Sequence, residues 1–270
     1  MQQRKIKIRL IDGANQFLIN YAKATSYPDL VRRCQQLNFG FDFVYWTFDG
    51  FDSRAKRRDI YSEYKNTKSR EKNKQDPTKY ELLNQFKKQD LPEMGGVSII
   101  DIPKVEADDI IRSLIRLLKQ TYGNDVDIEI ASNDADLFDQ TAITGVTQPQ
   151  SKLPNYCKTP EEIPLYKTLV GDSGDNIKGL KGFGEKAWSN LAEPEKNWVQ
   201  FCLEQDYLNF GIPETIPDFD EKLAKKLTEN WNEVRMWYSL VCPIWVTNEE
   251  LSKHMSIHPV KTDGARMTMD

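Results

Sequence analysis

Val97-Ser98-Ile99-Ile100-Asp101-Ile102-Pro103-Lys104-Val105-Glu106-Ala107-Asp108-Asp109-Ile110-Ile111 is the stretch on which the fold turns. Val97–Ile102 is a short apolar run rich in β-branched side chains, which suits a buried strand. From Ala107 the spacing changes. Ile110, Ile111, Leu114, Ile115, Leu117 and Leu118 return at helical intervals, predicting one broad buried face on a helix over Ala107–Gln120. Three acids, Glu106, Asp108 and Asp109, stand at the join.

The arrangement recurs on both sides of this unit. Ile6–Ile11 alternates and ends at Asp12, Phe41–Phe48 ends at Asp49, and Val126–Ala131 is followed by Asp134 and Asp136. Helical spacing is also predicted over Ala14–Ala24 and Pro77–Asp90. Strands alternating with helices imply an α/β fold, a parallel sheet with helices on both faces. From Thr159 the character shifts. Pro160–Val170 leads into Gly171-Asp172-Ser173-Gly174-Asp175-Asn176, then a glycine-punctuated hairpin, Gly179-Leu180-Lys181-Gly182-Phe183-Gly184-Glu185-Lys186. Leu223–Leu227 and Trp231–Val241 are amphipathic helical pieces. The division expected is a core over residues 1–158, a helical region over 159–258 and a fraying tail over 259–270. Residues 66–77 are polar and without periodicity, and read as a flexible excursion above the sheet edge.

The 270 residues are 39% hydrophobic and 11% aromatic, enough for a real core, and no apolar run is long enough to span a bilayer. The N-terminus enters a strand at once, so no signal or transit peptide is expected. Cys34, Cys157, Cys202 and Cys242 show no CxxC spacing, which points to a reducing cytoplasm. Net charge is −4, yet Arg54 to Lys74 holds nine basic and three acidic residues, leaving −10 for the rest. An acidic protein with one concentrated basic segment can still grip a polyanion locally.

Ligands of open α/β sheets bind beyond the carboxyl ends of the strands. Four strands bringing acids to that edge create a repulsive patch unless cations sit in it, and oxygen-only clusters suit Mg²⁺ or Mn²⁺. Plain alternatives exist for each piece. Acids in a first helical turn gain only about 0.3–1 kcal/mol each from the dipole, and Asn133-Asp134-Ala135-Asp136 could be an ordinary Asx turn. Asp172 and Asp175, three apart, would share a face if helical. Taken together with Asp12 and Asp49, the set reads as a two-metal phosphoryl-transfer site. Arg57, Lys65, Lys68 and Arg70 are either a solvated face or phosphate contacts, and Tyr61 and Tyr64 either core or stacking platforms for a terminal base. His254 and His258, four apart on a possible helix, read as surface histidines for want of further ligands.

In order, Ile11-Asp12-Gly13, Phe48-Asp49-Gly50, Tyr61-Ser62-Glu63-Tyr64-Lys65, Val105-Glu106-Ala107-Asp108-Asp109, Asp134-Ala135-Asp136, Gly171–Asn176 and the Gly-Phe-Gly hairpin resemble the bacterial and bacteriophage 5′-nuclease (flap endonuclease) family, most of all its free-standing phage RNase H-like form. The resemblance runs from residue 5 to about residue 190. It implies a PIN-like, Rossmann-like nuclease core with a helix–three-turn–helix. It assigns Asp12, Asp49, Glu106 and Asp108 to a first metal group, and Asp134, Asp136, Asp172 and Asp175, with Asp109 beside them, to a second. Lys65 then reaches the scissile phosphate and Arg57 is a basic position before it. Gly179, Lys181, Gly182, Phe183, Gly184 and Lys186 form the hairpin that holds duplex phosphates, with a K⁺ ion on its carbonyls. Two departures are Ser62, where the family usually has proline, and Lys68, which keeps the charge of an arginine without its fork.

The activity implied is Mg²⁺-dependent 5′→3′ exonuclease and flap endonuclease cleavage, with two ions that Mn²⁺ can replace. It would clear RNA primers and flaps from branched DNA and RNA–DNA hybrids in a bacterial or phage-infected cell. A single-stranded-DNA-binding protein or clamp is the partner expected of a monomer, with no membrane. The rivals are a PIN-type ribonuclease, disfavoured by the hairpin and second acid group, and a catalytically silent DNA-binding protein, disfavoured because no carboxylate is lost.

Overall fold

The computed structural model describes residues 4–67, 77–205 and 221–259. Lys68, Arg70, most of the excursion expected at 66–77 and the tail beyond Pro259 lie outside the described residues.

Six strands form one sheet in the order β5-β4-β1-β2-β3-β6. They are β1 (Ile6–Asp12), β2 (Phe43–Asp49), β3 (Val97–Ile102), β4 (Val126–Ala131), β5 (Val146–Thr147) and β6 (Met255–His258). The first five run parallel; β6 alone is antiparallel, on β3. The register aligns the strand ends. Ile11 of central β1 faces Trp46 of β2 and Ala131 of β4, and Asp49 faces Ile102 of β3. Asp12, Asp49 and the loops after β3 and β4 therefore open on one edge.

Alternation along the strands sorts the core into two faces. Ile8, Leu10, Ile100, Ile128 and Ile130 pack with Ile110, Ile111, Leu114 and Ile115 of α5 (Ala107–Tyr122). The opposite face, with Ile11, Val44, Trp46, Phe48 and Ile99, is covered by α1 (Gly13–Tyr21), α2 (Tyr27–Gln36) and α4. α4 opens as Pro77–Gln85, passes a π-helical turn at Phe86–Asp90 and closes at Leu91–Glu93, bringing Phe86 fully into that face. Between β2 and α4 lies the short α3 (Ala55–Ile60). Gly50 is required where it stands, because a Cβ there would meet Ile102 O at 1.8 Å. The chain can then pass directly over the end of β3.

The helical part comprises α6 (Glu162–Val170), α7 (Glu185–Asn190), α8 (Glu193–Glu204), α9 (Glu221–Glu229) and α10 (Trp231–Val241). Its core gathers Ile163, Leu165, Trp188, Val199, Leu227 and Trp231. Tyr64, Ile177, Trp237 and Leu240 form a small buried cluster at the junction with the sheet. Two expectations need correction. Residues 248–258 do not stay with the helical region: α11 (Asn248–Lys253) buries Leu251 in the α5 face, and β6 then pairs with β3. That pairing covers an otherwise open parallel edge. His254 and His258 consequently share no helix; one ends α11 and the other pairs with Val97. Among the described residues, no helix is long and apolar enough to cross a membrane.

Candidate active site

The acids at the strand ends are also structural punctuation. Asp12 Oδ1 accepts the Asn15 amide at 3.1 Å, capping α1, and its Oδ2 accepts the Ser132 hydroxyl at 3.2 Å. Asp49 Oδ1 accepts the Ala107 amide at 2.9 Å, so β2 supplies the cap of α5. Asp134 accepts the Asp136 amide at 2.9 Å, and Gln148 holds that turn by donating to Ser132 O and Asp134 O. These bonds fix the carboxylates without neutralising them. Burial, with repulsion from Asp49 and Asp134, pushes the Asp12 carboxyl up to about 7, against the bond from Asn15. Asp108 is held well above the usual carboxylate range by burial and by Asp134 and Asp12. Asp134 is raised by burial and by Asp136. In these three acids the crowding favours the protonated form unless a cation compensates it. Asp134 belongs electrostatically with Asp12 and Asp108 as much as with Asp136.

Beside them, Asp136, Asp172 and Asp175 each bring one oxygen within 4.8 Å of the others. Asp172 and Asp175 are not helical. Asp172 Oδ1 accepts the amides of Gly174 at 2.7 Å and Asp175 at 3.3 Å, and Asp172 bridges to Ile177, so a tight turn replaces the expected helical face. Gly171 makes it possible, with φ +102° and no room for a Cβ beside Ile177 O. Lys167, on α6, ion-pairs with Asp136 and, at 2.5 Å, with Asp172. Burial would raise Asp172, but Lys167 and the turn amides hold it below the usual range. Sequence reasoning missed Lys167. Its signal was available: four residues after buried Ile163, it puts a charge on the apolar face of α6. Arg112 was missed likewise; it is buried and donates to Asp136 O at 2.7 Å.

Five predicted site residues take other parts. Asp109 does not face the acidic edge. It is fully buried, gripped by the Arg57 fork at 2.6 and 2.9 Å, and accepts the Ile244 amide at 3.0 Å. Arg57 is correspondingly no surface contact for nucleic acid. It also donates to Glu106 at 2.8 Å and to the carbonyls of Leu240 and Cys242, tying α3, α5 and α10 together. Tyr64 is 2% exposed, with its hydroxyl on Glu106 at 3.1 Å and Asp175 at 3.3 Å, so no base can stack on it. Phe183 is buried as the hairpin's anchor in the helical core. Tyr61 is half-buried, edge-on to Trp237.

Lys65 lies where the two acid groups meet. Its Nζ donates to Glu106 Oε1 at 2.7 Å and stands 3.7 Å from Asp175. Burial would lower its pKa, but Glu106 and Asp175 keep it charged. Glu106 is accordingly held below the usual range by Lys65 and Arg57, which outweigh its burial. Lys65 has φ +54°, a left-handed backbone fixed by its amide on Asp175 O at 3.0 Å. In the hairpin, Gly179 backs onto the end of α6, where a Cβ would meet Val170 C at 2.5 Å. Lys181, Gly182, Gly184 and Lys186 are exposed.

Residues 29–158 match the family model for the 5′-3′ exonuclease N-terminal, resolvase-like domain. The chain is 28% identical over 237 residues to DNA polymerase I of Caldicellulosiruptor bescii, covering 74% of this chain and 26% of that protein. It is 33% identical over 159 residues to the 5′-3′ exonuclease of Mycoplasma pneumoniae, covering 52% of this chain and 51% of that one. The chain thus spans from about a quarter to about half the length of these curated relatives. A solved bacteriophage T5 protein co-crystallized with metal ions has the same fold, with TM-score 0.66 and 19% identity over 92% of this chain and 96% of that chain. The matched stretch carries the ends of β2, β3 and β4 that open on the acidic edge, so the similarity to the 5′-3′ exonuclease domain covers the acid-bearing part of the sheet.

Proposed function

We propose that this protein is a divalent-metal-dependent 5′ nuclease, a 5′→3′ exonuclease and flap endonuclease. It hydrolyses phosphodiester bonds near the 5′ ends of branched DNA and RNA–DNA, removing primers and flaps during replication. The observation that carries the reading is the convergence at one sheet edge of the protonation-prone carboxylates Asp12, Asp108 and Asp134 with the triad Asp136, Asp172 and Asp175. The donor set is all oxygen, as Mg²⁺ or Mn²⁺ requires. Asp12, Asp49, Asp108 and Asp134 are the residues to hold one ion, and Asp136, Asp172 and Asp175 the other. Bound there, such ions supply a water of lowered pKa and charge stabilisation at the phosphate and leaving oxygen.

The chain's own cations do the remainder. Lys65 is poised above both acid groups, and a phosphate arriving there can take over hydrogen bonds now given to Glu106. Glu106 serves best as its support, since both carboxylate oxygens are already engaged by Lys65, Arg57 and Tyr64. The exposed Lys181 and Lys186 give the hairpin charge for duplex phosphates. The deciding experiment is cleavage of a 5′-labelled flap substrate. Release of the flap with Mg²⁺ and none with a chelator is expected; cleavage unaffected by chelation would end the proposal.

A further inference from the structure

Phe51 is 86% exposed, the barest large hydrophobic side chain among the described residues. It stands two residues beyond Asp49, so their Cα atoms are no more than about 7 Å apart. A solitary exposed hydrophobic is ordinary on a protein surface; the way this one is held is not. Gly50 donates its amide to Val105 O at 3.1 Å, and Phe51 O accepts the Lys104 amide at 2.8 Å. Asp52, after Phe51, has φ +51°, and Lys104 has φ +62°. Non-glycine residues keep such left-handed backbone where their surroundings over-determine it, most often at functional sites. Ser53, next in line, is buried. The loops leaving β2 and β3 are thus stitched into one ridge, which runs on into Glu106 and Asp108. Its backbone bonds hold the Phe51 ring in water beside the acidic edge.

The charge of the ridge and of the start of α3 favours an anion. Arg54, Arg58 and Lys104 stand there against Asp52 and Asp59, with Arg58 and Lys104 exposed. An open aromatic ring among cations is the pairing that holds single-stranded nucleic acid, phosphates on the charges and a base on the π face. Tyr64, expected to stack, has its ring buried, whereas that of Phe51 is open.

We propose that Phe51 stacks on an unpaired base next to the phosphate held at the acidic edge, and so sets which phosphodiester bond is cut. The inference rests on the nuclease reading for its substrate. Every base offers a π face, so Phe51 places the strand without reading its sequence.

The test is single-turnover cleavage of a 5′-flap duplex with Mg²⁺, on the intact substrate and on two others. Each of these is abasic at one of the nucleotides flanking the cut. Wild-type protein should lose about tenfold in rate on one abasic substrate, the lower end of what a base–aromatic stack contributes. Phe51→Ala should cleave the intact substrate about tenfold more slowly, with cuts spread to neighbouring bonds, and should lose nothing further on the abasic one. Phe51→Trp should keep both the wild-type rate and the sensitivity to base removal. The melting temperature of Phe51→Ala should match wild type, because the ring packs against little. A Phe51→Ala protein with the wild-type rate and cut site, or one that base removal slows as much as it slows wild type, overturns the assignment alone. Wild-type protein that cleaves no flap with Mg²⁺ overturns the nuclease reading and this inference with it.

Discussion

Asp108 and Asp109 are neighbours in the first turn of one helix, and they belong to two different kinds of region. Asp109 closes a knot in which Arg57, Glu106 and three backbone groups satisfy one another, with essentially no exposure. Asp108 faces an edge where burial and repulsion from Asp134 and Asp12 outweigh the attraction of Lys65 and Arg112. The same residue type, one position apart, is a strut on one side and, in the function proposed above, a metal ligand on the other. Buried charge that is matched holds the fold together. Buried carboxylates left unmatched are driven toward the protonated form, and a cation that binds them must displace those protons.

The sharpest way to break this contrast is to delete each acid. Asp108→Ala should lower flap cleavage by at least about 10³-fold, a loss above about 4 kcal/mol in the barrier, while thermal stability holds or rises because repulsion is relieved. Turnover near wild type in the purified variant sinks the assignment. Arg57→Ala should do the reverse, destabilising the fold by about 3–5 kcal/mol, as leaving buried carboxylates unpaired does. Urea unfolding would measure it, and a loss under about 1 kcal/mol would show that the knot is not the strut described.

Lys65 tests the boundary between the regions. Lys65→Ala should slow the chemical step in single-turnover kinetics by about 10²-fold, with flap affinity changed far less. An unchanged single-turnover rate removes it from the reaction.

The smallest effect is the most diagnostic of stored repulsion. The Asp12 carboxyl is raised from 3.8 to about 7, so the folded protein holds a proton that the unfolded chain releases. That contribution to stability is complete below about pH 4 and is lost as pH climbs through about 7. In chelator, the melting temperature should therefore fall over this window from this group. Added Mg²⁺ displaces the proton and should raise the melting temperature by more at pH 8 than at pH 5. Equal increments at the two pH values would contradict a proton-holding edge.

Local pattern carried a great deal here. Alternation ending at Asp12 and Asp49, and the change of period at Ala107, foretell the parallel strands and the edge to which their acids go. Those features are visible because a strand and its following turn are contiguous, and period and end position are properties of neighbours. The partners of each charge were not visible. Arg57 meets Asp109 from 52 positions away, and Lys167 finds Asp136 from across the site. The strand β6 closes on β3 from more than 150 residues downstream. The sequence by itself determined the layered fold and the gathering of carboxylates at one edge. Only the tertiary structure decided which carboxylates are spent on arginine and lysine and which stay raised, because neutralisation depends on distance in space and on water excluded by packing.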